Sequence, residues 1–233
     1  MAYVVTPRAV RGAAIAGSGD LFPVARVYCV GRNYAEHTKE MGGDPTREAP
    51  FFFIKDADAV VPDGSTIAYP PLTKNFHYEL ELVVAIGKEG YQVPAAKAND
   101  IIWGYGVGLD MTRRDLQNEA KKTGRPWCVG KNFPEGAPLA PLQPASKIGH
   151  PSTGTIELKV NGVTKQKADL KDLIWNVGEI VEHLSAAYRL RPGDLIFTGT
   201  PAGVGPVVTG DVMTGAIDGV GAITIKVGPA GAA

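Results

Sequence analysis

The chain has 233 residues, 44% of them hydrophobic, enough for one large domain with a sizeable core. Lys plus Arg and Asp plus Glu number 24 each, so no net positive field exists to attract nucleic acid or an anionic membrane surface. Cys29 and Cys128 are too few for a disulfide-stapled secreted fold and lack paired zinc-ligand spacing. With no signal-like N-terminus and no apolar run of about 18 residues, the expectation is a soluble, untargeted, cytoplasmic protein.

Gly (29) and Pro (18) are spread throughout and predict many short strands joined by tight turns, hence an α+β or mostly β fold. Runs rich in β-branched and aromatic residues at 27–30, 51–54, 80–86, 104–109, 156–160, 194–198 and 222–227 predict strands. Asn33 and Glu36 have the spacing of a capping box, opening a helix of about two turns that Gly42-Gly43 can end. Thr112 and Asp115 make a second such box, with Lys121 and Lys122 in the last turn and Gly124 as the stop. Asn161-Gly162 predicts a type I′ hairpin turn, because both central residues there need positive φ. Ile174, Val177, Ile180, Val181, Leu184 and Tyr188 recur at helical spacing and give one apolar stripe, followed by a turn at Pro192-Gly193-Asp194. The Gly/Pro/Ala-rich tail after Val227 reads as a frayed terminus.

In Tyr78-Glu79-Leu80-Glu81-Leu82 the acids alternate with apolar residues, so a strand points Glu79 and Glu81 to one face. Adjacent carboxylates repel unless a cation lies between them, which suggests oxygen ligation of Mg²⁺, Mn²⁺ or Ca²⁺, although for the pair taken alone a solvated strand face is the commoner explanation. Asp110 shifts the balance. It ends the nearly uncharged run Gly104-Tyr105-Gly106-Val107-Gly108-Leu109, where an acid is out of place without a partner; the alternative is an acid near the N-terminus of the next helix, beside Thr112. The alternate glycines also permit close approach of a backbone or ligand. His37 and Glu40 lie three apart in the first predicted helix, so the carboxylate can orient the imidazole, and such a pair could activate water. His77 is either a supporting group or a strand-end residue. Gly104, Gly106 and Gly108 mimic a dinucleotide loop, but Met111 stands where the last glycine belongs. Thr198-Gly199-Thr200-Pro201-Ala202-Gly203 lacks a phosphate-loop lysine yet could line a pocket, and no serine elbow or zincin helix is present.

The pieces Gly31-Arg32-Asn33-Tyr34 with His37 and Glu40, Glu79-Leu80-Glu81, Leu109-Asp110-Met111-Thr112 and Thr198-Gly199-Thr200-Pro201 occur in one order that resembles the fumarylacetoacetate hydrolase family. The Pro50-Phe51-Phe52-Phe53, Arg113-Arg114-Asp115-Leu116-Gln117 and Pro206-Val207-Val208 segments are most similar to its short members that act on fumarylpyruvate and other acylpyruvates. The resemblance implies an α+β, mixed β-roll with a few short helices and a lid. A catalytic domain would span 27–228, residues 1–26 would form an N-terminal extension packed on it, and 229–233 would be a disordered tail.

For the site it implies Mg²⁺ or Mn²⁺, with Ca²⁺ also possible, on Glu79, Glu81 and Asp110. His37 and Glu40 would be the water-activating dyad on the lid, and Lys131 would stabilise developing negative charge. Arg32, Arg114, Gln117 and Thr200 would bind substrate. Larger members add a fourth carboxylate upstream of the histidine, where this chain has Cys29 and Val30, so water or substrate would fill that position. The implied reaction is hydrolysis of a carbon–carbon bond in a 2,4-dioxo acid, with fumarylpyruvate giving fumarate and pyruvate, by a homodimer with no nucleic-acid or membrane partner. Alternatives on the same site are acetylpyruvate hydrolysis, oxaloacetate decarboxylation or isomerisation of an unsaturated oxo acid. From another class comes a non-catalytic metal or oxo-acid binding protein.

Overall fold

The computed structural model describes residues 3–36 and 48–231. The strands begin with a hairpin, β1 (Arg11–Ala14) and β2 (Leu21–Val24), followed by β3 (Arg26–Gly31), β4 (Phe51–Lys55), β5 (Val60–Pro62), β6 (Thr66–Tyr69), β7 (Phe76–Tyr78), β8 (Leu80–Ile86) and β9 (Ile102–Leu109). After β10 (Thr112–Arg113) come two helices, α1 (Arg114–Lys122) and α2 (Cys128–Lys131), then β11 (Ala137–Leu139), β12 (Gln143–Pro144) and α3 (Ala145–Ile148). The hairpin β13 (Thr155–Val160) and β14 (Val163–Asp169) leads to α4 (Val177–Ala187), β15 (Asp194–Phe197), β16 (Gly205–Pro206), β17 (Val212–Ile217) and β18 (Gly221–Ala230).

An eight-stranded sheet runs β4-β3-β15-β8-β9-β11-β5, with β12 on β9, and a five-stranded sheet runs β14-β13-β17-β18-β6. Both mix orientations: β15 is parallel to β3 and β18 to β6, whereas β8 and β9 are antiparallel. This is the mixed, helix-poor sheet fold expected from the sequence. All seven expected strands are present, and Asn161 and Gly162 take φ 51° and 79° in the hairpin turn.

β8 is buried along its length, and its alternation assigns its two faces to different cores. Leu80, Leu82, Val84 and Ile86 join the larger core with Ile156, Leu158, Met213 and Ile223 of the five-stranded sheet. Val83 and Ala85 join a second cluster with Val27, Cys29, Phe197 and, from the N-terminal hairpin, Ala13 and Phe22. Residues 14–16 are tied down further by Ala16 N–H to Leu142 O (2.9 Å) and Leu142 N–H to Ala14 O (2.8 Å). The alternate glycines of β9 serve this packing: a Cβ on Gly108 would come within 2.6 Å of the Phe197 ring, and one on Gly106 within 2.8 Å of Leu142.

Several local expectations need correction. The Thr112–Asp115 box does not form: Thr112 Oγ1 donates to Asp110 O (3.0 Å), and Asp115 instead accepts Lys74 N–H (2.9 Å) and the Thr73 hydroxyl (2.5 Å). Asn33 is no cap either, because its amide is buried against Trp175 O (2.9 Å), Thr198 O (2.7 Å) and Trp175 N–H (2.8 Å). The rest of that expected helix and lid, with His37 and Glu40, lies outside the described residues. The helix expected from the apolar stripe, α4, starts later than that stripe, where Asn176 and Glu179 form a capping box, and Ile180, Val181 and Leu184 are its buried face. The tail also keeps its structure beyond 228, since β18 continues to Ala230 beside Tyr69.

Candidate active site

Glu79 occupies the one-residue break between β7 and β8, and Glu81 follows two residues later on the same face. The antiparallel register pairs Leu80 with Leu109 and Glu81 with Gly108, which sets Asp110 opposite Glu79; Asp110 N–H donates to Glu79 O at 2.8 Å. The three carboxylates are buried and offer oxygen atoms all within 4.8 Å of one another. Burying three like charges is costly unless cations answer them.

Three cations do. Lys131 Nζ donates to Glu79 Oε2 (2.7 Å), Asp110 Oδ2 (2.6 Å) and Thr112 Oγ1 (2.7 Å), so all three ammonium protons are engaged. Burial lowers the Lys131 pKa, but Asp110 and Glu79 outweigh it and hold the ammonium above its ordinary value. Arg114, at the start of α1, pairs with Glu79 Oε1 and donates to Gln117 Oε1 (2.6 Å) one turn on. Lys55, wholly buried at the end of β4, lies 2.9 Å from Asp110 Oδ1.

Lys55 nevertheless leaves that oxygen short of a proton. Its ammonium donates to Met111 O (3.0 Å), Gly136 O (2.9 Å) and Lys131 O, which exhausts its three N–H groups. Asp110 Oδ1 is buried and accepts no hydrogen bond among the described residues. Glu81 has one firm donor, the Gly199 backbone N–H at 2.7 Å. Burial raises its pKa well above the carboxylate range, reinforced by Asp110 and Glu79, against the weaker pull of Lys131 and Gly199. A free lone pair on Asp110 and an under-compensated Glu81 fit a hard divalent cation, and an all-oxygen donor set suits Mg²⁺, Mn²⁺ or Ca²⁺ rather than zinc.

The other expected site residues have defined places. Arg114, Gln117, Thr200 and Arg32 all line the cleft over the carboxylates. The Thr200 hydroxyl donates to Leu80 O (2.9 Å) and accepts from Gln166 Nε2 (2.8 Å), so its proton is directed into the protein. Arg32 takes φ 57°, with its guanidinium 5.9 Å from the Phe51 ring centre. Lys131, expected to face developing charge on the substrate, here braces two carboxylates.

His77 turns out to support Arg114, whose Nε lies 3.4 Å from His77 Nδ1, while Nε2 meets Asn75 Oδ1 at 2.8 Å. Burial, then Arg114, push its pKa down to about 4 against the pull of Glu79, so the ring is neutral near pH 7. Sequence reasoning missed Lys55, because a lysine closing the strand Phe51-Phe52-Phe53-Ile54-Lys55 reads as a solvated strand end. It also placed Lys121 only as a helix-end charge, and passed over Trp127, although both line the cleft.

Residues 26–228 match the fumarylacetoacetate (FAA) hydrolase C-terminal family. A fumarylpyruvate hydrolase from a Ralstonia species is 50% identical over 187 residues, covering 80% of this chain and 97% of the relative. The human mitochondrial oxaloacetate tautomerase FAHD1 is 42% identical over 201 residues, 86% of this chain and 90% of the relative. The crystal structure of fumarylpyruvate hydrolase from Pseudomonas aeruginosa in complex with Mn²⁺ and pyruvate superposes with a TM-score of 0.96 at 54% identity, covering 98% of this chain and all of that one.

Proposed function

The chain belongs to the fumarylacetoacetate hydrolase family, and from that membership and the site we propose that it is a divalent-metal-dependent hydrolase converting fumarylpyruvate to fumarate and pyruvate. The observation that carries the reading is the buried Glu79, Glu81 and Asp110 cluster, with one Asp110 oxygen left without a hydrogen bond. Its support is the similarity to a protein whose structure holds Mn²⁺ and pyruvate.

Glu79, Glu81 and Asp110 would hold Mg²⁺ or Mn²⁺, which when bound supplies Lewis acidity toward the oxygens of an oxo acid. Lys131 and Lys55 brace Asp110, and Lys131 and Arg114 brace Glu79, so the carboxylates are oriented before any ligand arrives. With all three carboxylates ionised around a metal, their charges would be met in number by Lys55, Lys131 and Arg114, so a divalent ion would leave the cleft net positive and suited to an anionic substrate. His37 and Glu40, which lie outside the described residues, are assigned the water-activating role, in which the His37 imidazole would take a proton from water. The resulting hydroxide adds to C4 and becomes part of the fumarate carboxylate. The C3–C4 bond then breaks, its electron pair goes to the three-carbon fragment, and a proton returned to C3 completes pyruvate. Water is consumed once per turnover.

We place this enzyme in gentisate-type aromatic breakdown in the cytoplasm and assign it a homodimer. In support, β4 is an edge strand of the larger sheet with Phe51 39% and Ile54 43% exposed, apolar surface that a second copy would cover. Among the described residues no helix is long and apolar enough to cross a membrane.

The mammalian relatives named for oxaloacetate make that acid the informative competitor. A spectrophotometric panel of fumarylpyruvate, acetylpyruvate and oxaloacetate, each with and without chelator, tests the reading. Chelator-sensitive loss of fumarylpyruvate with release of fumarate is expected. Conversion of oxaloacetate alone would overturn it.

A further inference from the structure

We propose that Lys121 is the residue that selects a substrate with a second, distal carboxylate, reading that group at the mouth of the cleft. The inference rests on the hydrolase reading and adds to it the determinant that separates fumarylpyruvate from acylpyruvates ending in an alkyl group.

Arg114, Gln117 and Lys121 lie at i, i+3 and i+7 of α1 and therefore share one face of the helix, and all three line the cleft. Arg114 marks the inner end, because it pairs with Glu79 of the carboxylate cluster. Lys121 stands two turns farther out, about 10.5 Å along the helix axis. An oxo acid anchored at the cluster by its 1-carboxylate and 2-oxo group would extend along this face, so its far end arrives beside Lys121.

The inner cations are already committed to carboxylates, whereas Lys121 is not. No carboxylate among the described residues lies within 4.0 Å of its ammonium. The side chain is instead held over the Trp127 ring, 5.2 Å from the centroid, and Trp127 is in turn fixed edge-on against Phe51 at 5.2 Å and tilted against Phe53 at 5.8 Å. Phe53 and Trp127, their rings tilted 54° to one another, thus add aromatic surface to the cleft beside Lys121, against which an apolar conjugated chain can pack. Burial, then Arg114 and Arg32, push the Lys121 pKa down to about 8, as expected for a cation surrounded by like charges and lacking its own anion. A carboxylate placed there would relieve that repulsion.

The test compares wild type, Lys121→Met and Lys121→Arg on fumarylpyruvate and acetylpyruvate in saturating Mn²⁺. Methionine keeps an unbranched stem on Trp127 and removes only the charge. Losing one charge-assisted contact predicts that the fumarylpyruvate-to-acetylpyruvate ratio of kcat/KM falls by about tenfold to a hundredfold in Lys121→Met. The loss should fall mainly on the fumarylpyruvate KM, and arginine should restore most of the ratio. An unchanged ratio, or equal losses on both substrates, overturns the assignment of Lys121 while leaving the hydrolase reading intact. A wild type that does not hydrolyse fumarylpyruvate overturns both.

Discussion

Replacing Lys55 with methionine removes a buried ammonium while retaining an unbranched stem of similar length. In the native protein that ammonium lies 2.9 Å from Asp110 Oδ1 and donates to Met111 O, Gly136 O and Lys131 O, tying β4 to the segments after β9 and α2. Breaking a buried ion pair by deleting one partner costs up to about 3–5 kcal/mol, and here Asp110 keeps only Lys131, on its other oxygen at 2.6 Å. Each orphaned carbonyl adds on the order of 1–3 kcal/mol unless water enters. Since these contributions overlap, the lower range is the working figure. For a chain of this size about 3–5 kcal/mol corresponds to a Tm lower by roughly 6–20 °C.

The sign of the metal effect follows from Asp110. A bound divalent cation restores a positive partner to it, so saturating Mn²⁺ should narrow the gap between variant and wild type. Thermal and urea unfolding of the metal-free proteins, repeated with Mn²⁺, measures both quantities. A Lys55→Met protein within about 1 kcal/mol of wild type when metal-free would refute the claim that Lys55 holds this corner of the site.

Asp110→Asn should raise the Mn²⁺ Kd by more than about tenfold, because it removes a charged oxygen ligand and leaves Lys55 without its anion and Lys131 with Glu79 alone; electron paramagnetic resonance titration of free Mn²⁺ reads this directly. Gly199→Ala should destabilise by ~1–3 kcal/mol and weaken Mn²⁺ binding together. Gly199 has φ +101°, a Cβ there would sit 2.6 Å from Asn33 Cβ, and its N–H positions Glu81, so a variant with unaltered metal affinity would contradict that role. Lys121 is charged below about pH 8 and neutral above it, with Arg114, Arg32, Glu79 and Lys131 as the charged groups acting on it. The fumarylpyruvate-to-acetylpyruvate ratio of kcat/KM should therefore decline in wild type as pH rises from 7 to 9.5 and stay flat in Lys121→Met; parallel profiles would count against the charge reading.

The large strands were legible because their composition and alternation are strong, and β8 was located from its first to its last residue. The short ones were not: β10, β12 and β16 are two residues each and exist only because a neighbour pairs with them. Local chemistry misled where tertiary partners outcompeted it. Thr112 and Asp115 have capping-box spacing, yet Lys131 and Thr73 claim their side chains. Asn33 is drawn from the role of helix cap to that of a buried link between Trp175 and Thr198. Glu79 and Glu81 could be read as one face of a strand, but their pairing with Asp110 depends on the β8–β9 register, which spacing along the chain does not encode. The bracing lysines were the least visible part. Lys55 looks like the polar end of an apolar strand, and only the fold reveals that this end points inward.

Fumarylpyruvate turnover in protein stripped of metal by chelation and then reconstituted decides whether Glu79, Glu81 and Asp110 serve as a metal centre. Stripping should cost more than about a hundredfold in turnover and adding Mn²⁺ or Mg²⁺ should restore it, with fumarate and pyruvate formed in equal amounts. Full turnover in protein shown to be metal-free would contradict that role.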